Sequence, residues 1–410
     1  MIDDRHFSGR TFKAFRNGTH RATSPEATLD RTNPWFNEIG ITRIGNVTGL
    51  DAIGLPVVMV CRPNSRSVAV SQGKGLTLAA AKASGLMEAI ELWHAETAIP
   101  PLQFACEVDL RREHAIVDTS ALPKASASYL PTVPILWTNG FDAVTGANIK
   151  VPFECVHMNS CVPLAPASGF FLATSNGLAS GNCLIEAVIH GVCEVIERDS
   201  AALWHPLSGT EIAARRLDLE SVDDTGCLTA IEMCWRAGAA VAAWDMTSDI
   251  GVPAFASLIV DRSDNGDQRS AGVGYGCHPN RGVALFRAIS EAAQSRLTFI
   301  SGSRDDVFRG EYEDDVRARL SLAQFRAMIG LPGRSFKDAP THDASFFEDD
   351  LSWLVERLAG AGISSVLVVE LTKPWIGIPV VRVIVPGLEG PDSDEEYRPG
   401  ARRLAALAAS

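Results

Sequence analysis

The segment from Gly181 to Asp199, GNCLIEAVIHGVCEVIERD, constrains the fold more than any other part of the chain. Its apolar residues cover nearly the whole helical circumference, and they continue too long for a strand. Such a helix has to be covered on most sides by other layers, and 410 residues suffice to build them. Yet the same stretch carries Glu186, Glu194 and Glu197. Carboxylates in an interior need partners.

The surrounding pattern supplies the layers. Two β-branched runs between Leu55 and Ser71 flank the turn RPNSR and read as a hairpin. SQGKG then leads into a helix from about Thr77 to Thr97. After the Gly181 helix come the strands VAAWDM, PAFASLIV and SAGVGYGC, then a helix over GVALFRAISEAAQSRLTFI. A charged segment from Asp305 to Asp350 reads as an insertion or lid, followed by the helix FFEDDLSWLVERLAGAG and the strands SSVLVVEL and PVVRVIVPG. Three copies of one local pattern, IGLPVV, IGVPAF and IGIPVV, place a Gly turn and a Pro at the start of an apolar run. The expectation is a mixed α+β fold with long acidic helices packed on β-sheets. Residues 1–50 form an arm, 51–400 one domain without an internal boundary, and 401–410 a tail.

The formal net charge of -12, with no basic run, excludes a nucleic-acid partner as the natural reading. No apolar stretch reaches the roughly eighteen residues of a membrane span, and the start MIDDRHFSGR lacks a signal-peptide pattern. A cytoplasmic protein is expected. The nine cysteines are scattered without a C-x-x-C pair, which speaks against a disulfide framework or zinc ribbon.

On the helix from Thr77, Ser84, Glu88 and Glu91 lie at i, i+4 and i+7 and share one stripe. On the second helix Glu186 and Glu197 project within about 20° of each other, and Glu194 lies on the same side. Asn182 precedes Glu186 by one turn, and Arg198 follows Glu197. A lone Glu-x-x-Glu is ordinarily a solvated helix face. Here, however, Lys and Arg are nearly missing from both stripes, and poor helix formers precede the carboxylates on the same face. Carboxylates converging on one cleft repel unless a cation intervenes, and hard oxygen donors select Mg²⁺ or Ca²⁺. Mg²⁺ in turn brings nucleotide phosphates, which suggests ATP. No P-loop is present, and GVGYG at Gly272 fails the G-x-G-x-x-G pattern because position 277 is Cys. Lys74 in QGKG reads as a turn with one cation. His94, His190 and the Cys277-His278 pair read as packed residues, and Cys183 as a minor nucleophile candidate.

At these residues the chain resembles the YcaO family of ATP-dependent peptide-backbone-modifying enzymes. The resemblance rests on Ser84-x-x-x-Glu88-x-x-Glu91 after GKG, Asn182-x-x-x-Glu186 followed by Glu194-x-x-Glu197-Arg198, and ALFRAISEAAQSR with Glu291, Gln294 and Arg296. It spans about Arg21 to Arg398. It implies a Mg²⁺–ATP site in which Glu88, Glu91, Glu186, Glu194 and Glu197 share the metal ions and Arg198 faces phosphate. Ser84, Asn182 and Gln294 complete the nucleotide contacts, and Glu194, Glu197 and Arg198 carry catalysis. The family phosphorylates an amide oxygen after a nucleophile has added to the carbonyl carbon.

The N-terminal block up to QGKGL is similar to the branch that works with a TfuA partner, many of whose members are linked to thioamide formation from a sulfide donor. The chain also ends without the Pro-rich terminus common in azoline-forming cyclodehydratases. The resemblance therefore implies a thioamidase acting on a precursor peptide or protein, with azoline formation as the alternative and a homodimeric state typical of the family. A non-catalytic peptide-binding scaffold is the reading from another class, and such members are expected to lose the acidic ligands that are kept here.

Overall fold

The computed structural model describes residues 7, 9–125, 129–164, 167–262, 271–304, 332–391 and 397–409. Helices of eight or more residues are α1 (Pro25–Thr32), α2 (Leu78–Glu96), α3 (Leu184–Trp204), α4 (Thr225–Arg236), α5 (Arg281–Ser301), α6 (Phe347–Gly360) and α7 (Ala401–Ala409). The antiparallel strands β1 (Arg43–Asn46), β2 (Val57–Cys61) and β3 (Val70–Lys74) form one small sheet. A six-stranded sheet combines β4 (Gln103–Ala105), β5 (Ile135–Asp142), β6 (Asn148–Pro152), β7 (Leu178–Ser180), β13 (Leu367–Glu370) and β14 (Val380–Ile384). Its order is β4-β5-β13-β14-β7, with β6 on the other edge of β5. The third sheet has the order β11-β10-β9, from β9 (Ala239–Asp245), β10 (Ala254–Asp261) and β11 (Gly272–Cys277). A short parallel pair joins β8 (Leu217–Asp218) to β12 (Arg334–Ser335).

Helix α3 is covered on both sides, as its composition requires. Val188, Val192 and Ile196 pack in one core with Val381 and Val383 of β14 and with Ala242, Ala256 and Leu258 of the third sheet. Helix α2 places Leu86, Ala89 and Ile90 against Trp137, Val369 and Val380 of the six-stranded sheet. Helix α5 buries Leu285, Ala288 and Ala292 with Phe255 and Ile259 of β10. The three I-G-x-P patterns all precede strands: Gly54, Gly251 and Gly377 adopt φ of 75°, 73° and 67° ahead of β2, β10 and β14. That left-handed turn is where glycine is favoured.

Two glycine-rich stretches are explained by close packing. A Cβ on Gly272, Gly274 or Gly276 would lie 2.1–2.2 Å from α5 backbone atoms. GVGYG therefore lets α5 lie directly on β11 and cradles no phosphate. Likewise a Cβ on Gly73 would meet Ala81 O and Gly85 N of α2 at 2.1 Å.

One local expectation is corrected. Asn182 does not sit on the helical face one turn before Glu186, because Cys183 is extended (φ -143°, ψ 164°) and α3 begins at Leu184. Its side chain nevertheless reaches Glu186 by folding back across the helix start. Much of the charged segment expected between 305 and 350 lies outside the described residues, which resume at 332. No helix among the described residues is long and apolar enough to cross a membrane.

Candidate functional site

Helices α2, α3 and α5 and the N-terminal segment enclose a cavity of about 530 Å³. Ala80, Ala83, Ser84, Met87, Glu88 and Glu91 recur at helical spacing, so a single face of α2 forms one wall. Helix α3 contributes Glu186, His190, Glu194, Glu197 and Arg198, and α5 contributes Arg287, Glu291 and Gln294. All nine residues singled out from the sequence line this one space: Ser84, Glu88, Glu91, Asn182, Glu186, Glu194, Glu197, Arg198 and Gln294.

The carboxylates are held unfavourably. Burial pushes Glu88 and Glu194 up to about 7 and Glu91 up to about 8. Arg304 and Lys74 act against the shift at Glu88, Arg198 acts against it at Glu194, and hydrogen bonds from Ser180 oppose it at Glu91. Glu197 is also raised, chiefly by burial, and its buried Oε2 has no hydrogen-bond partner. Burial likewise opposes ionisation of Glu291, but Lys74 and Arg198 outweigh it and hold this carboxyl below its ordinary range. Lys74 Nζ donates to Glu291 Oε2 at 2.7 Å. Arg198 lies 3.7 Å from Glu197 Oε1. Burial disfavours the charge on Arg198, yet Glu197, Glu291 and Glu194 raise its pKa above the ordinary arginine value.

Glu186 stands apart from the other four helix carboxylates. Its Oε2 accepts from Ala22 N at 2.8 Å, while Oε1 accepts from Asn182 Nδ2 at 3.1 Å, Asn182 N at 3.3 Å and Arg21 Nη1 at 3.4 Å. Asn182 Oδ1 in turn accepts from Thr28 Oγ1 at 2.9 Å. Glu186 thus ties the N-terminal segment to α3. Behind the acidic cluster, the buried Arg382 of β14 donates to the carbonyls of Val156, Thr174 and Asn176.

An all-oxygen donor set with raised pKa values and an orphaned carboxylate oxygen fits a hard divalent cation such as Mg²⁺. Arg198, Arg287 and Lys74 beside it suit the phosphate oxygens of a nucleotide. Sequence reasoning left Arg287 and Arg21 out and read Lys74 as a turn with one cation, whereas all three line the cavity. Arg287 was legible only as one turn before Glu291 within ALFRAISEAAQSR. Arg21 has no such signal, because its contact to Glu186 joins positions 165 residues apart. Arg296, from the same motif, faces away and pairs with Asp51 at 2.9 Å and Asp261 at 3.1 Å.

The other candidates are packed residues. His94 is fully buried with Nδ1 2.8 Å from the Ile90 carbonyl. Cys277 is buried, and desolvation raises its thiol well above the ordinary range. Burial also pushes Cys183 up to about 11, so neither sulfur is held as a thiolate.

Comparison with known proteins gives the family and the fold. A family model described as YcaO cyclodehydratase, ATP- and Mg²⁺-binding, matches residues 72–389. An uncharacterized protein in the tfuA 3' region of Rhizobium leguminosarum bv. trifolii is 37% identical over 390 residues, covering 94% of this chain and 92% of that protein. The fold is similar to YcaO from Methanopyrus kandleri bound with AMPPCP and Mg²⁺, with a TM-score of 0.73 at 24% identity, over 95% of this chain and 98% of the other. It is similar as well to a heterocyclase in complex with substrate and cofactor, with a TM-score of 0.74 at 21% identity; this chain covers 55% of that one.

Proposed function

This chain belongs to the YcaO family of ATP-dependent, Mg²⁺-binding peptide-modifying enzymes, and from that premise we propose that it installs a thioamide in the backbone of a peptide or protein. The observation that carries the reading is the convergence of Glu88, Glu91, Glu194 and Glu197 with Arg198, Arg287 and Lys74 in one cavity. The 37% identity to a protein of a tfuA 3' region supports the thioamide product, a sulfide donor and a TfuA-like partner. A cytoplasmic homodimer completes the reading.

Glu88, Glu91, Glu194 and Glu197 would hold Mg²⁺, which would neutralise the polyphosphate, and Glu186 would join them by giving up one of its N–H donors. Ser84, Asn182 and Gln294 contact the nucleotide, while Arg198 and Arg287 face its terminal phosphate. Sulfide adds to the amide carbonyl carbon, and the former carbonyl oxygen takes the terminal phosphoryl group and departs as phosphate. The balance is amide plus hydrogen sulfide plus ATP giving thioamide, ADP and phosphate. Amide oxygen is a poor leaving group and phosphate a good one. The protein's contribution is positioning and charge stabilisation.

The family description as a cyclodehydratase favours azoline formation as the second reading, with a Cys, Ser or Thr side chain as nucleophile. Co-expression with a TfuA-like partner and its peptide, followed by intact-mass measurement, separates the two. A thioamide adds about 16 Da and an azoline removes about 18 Da. Glu194→Gln is expected to abolish either product. Full activity of that variant, or no ATP binding at millimolar nucleotide, overturns the reading.

A further inference from the structure

His190 lies on α3 one turn after Glu186 and one turn before Glu194, in the middle of the carboxylate stripe, and it lines the cavity. Its Nε2 is 3.3 Å from Nη1 of Arg287. A guanidinium carries only donors, so Nε2 presents its lone pair and the ring is neutral with its proton on Nδ1. The surroundings agree: burial first, then Arg287, Arg21 and Lys74, hold His190 well below the ordinary histidine pKa. The Ser180 backbone acts in the other direction.

The partner makes this contact informative. Arg287 has Glu197, Glu291 and Glu194 in its electrostatic surroundings. Among the described residues, however, no carboxylate forms an ion pair with it within 4.0 Å, and its hydrogen bond goes to His190. A carboxylate in that place would orient the guanidinium and also neutralise it, competing with an incoming phosphate. A neutral imidazole orients it and leaves the charge whole.

Both ends of the contact stand on closely packed elements. A Cβ on Gly191 would lie 2.6 Å from Val383 Cγ2, and one on Gly276 would lie 2.8 Å from Arg287 Cβ. Neither helix can shift inward, so the two side chains meet at a defined place.

We propose that His190 is a positioning residue that holds Arg287, without a direct ion pair, towards the terminal phosphate of ATP. This rests on the nucleotide reading given above, and its test separates the two. Calorimetry on the full-length protein with Mg²⁺ compares a non-hydrolysable ATP analogue with ADP. His190→Leu is expected to weaken the analogue by about tenfold or more, the usual range for losing an orienting partner, while ADP binding and thermal stability stay near wild type. His190→Gln, which keeps an acceptor oxygen, restores most of the analogue affinity and of the turnover number. In an Arg287→Met background the His190→Leu change adds nothing. Wild-type analogue affinity in His190→Leu, equal loss of both nucleotides, or additive effects of the two substitutions each overturn the proposal while leaving the nucleotide site intact. A wild-type protein that binds neither nucleotide overturns both.

Discussion

Ser180 donates its backbone N–H and its hydroxyl to the same oxygen of Glu91, Oε1, at 2.8 and 2.6 Å. This joins the edge strand β7 to the acidic face of α2 and orients one carboxylate from outside its own helix. Ser180→Ala removes the hydroxyl and leaves the N–H. A hydrogen bond to a charged group contributes about 1.5–3 kcal/mol, so Glu91 is expected to protonate more readily and Mg²⁺–nucleotide affinity to fall by about tenfold or somewhat more at neutral pH. Titration calorimetry checks this, and unchanged affinity would remove Glu91 from the metal set.

A pH prediction follows from the raised carboxyls. Glu88, Glu91 and Glu194 move from an ordinary 4.5 to about 7, 8 and 7 in the folded, metal-free protein. The folded state holds those protons after the unfolded chain has lost them, so this contribution to stability is present below about 4.5 and is lost as pH rises towards 8. Mg²⁺ held by these carboxylates would reverse the penalty. Melting of the metal-free protein is expected to fall between pH 5 and 8, and the stabilisation by Mg²⁺–nucleotide to grow over the same window. A stabilisation independent of pH would mean that these groups do not bind the cation.

The N-terminal segment is clamped by a buried ion pair, Lys13 Nζ to Asp350 Oδ2 at 2.5 Å, both side chains almost wholly inaccessible. Breaking such a pair from one side costs about 3–5 kcal/mol, whereas replacing both members by apolar residues is often neutral. Lys13→Met alone is expected to lower the melting temperature clearly, and Lys13→Met with Asp350→Leu to recover most of it. Because the segment continues to Arg21 and Ala22 on Glu186, nucleotide affinity should fall in the single variant and return in the double.

Much of the site was legible in the sequence because helical spacing is local. Ser84, Glu88 and Glu91 needed only the 3.6-residue period to share a face, and Glu194, Glu197 and Arg198 needed little more. The helix ends were less legible: Asn182 was read as part of the helix, while Cys183 is extended and the helix begins at Leu184. GVGYG shows the same limit. Its composition fits a turn, a ligand cradle or a packing seam, and the nearby backbone of α5 decides among them.

Two acidic helices, their apolar remainder and the call for a cation between them follow from local spacing, since burying so many like charges without one is too costly. Which groups meet across chain distance follows from the packing. Arg21 with Glu186, Ser180 with Glu91 and Arg287 with His190 join positions about one hundred residues apart or more. Such contacts depend on how layers stack, and no local periodicity records that. That Glu186 is held by several N–H donors while Glu197 keeps a buried Oε2 without a partner is likewise a property of the packed molecule.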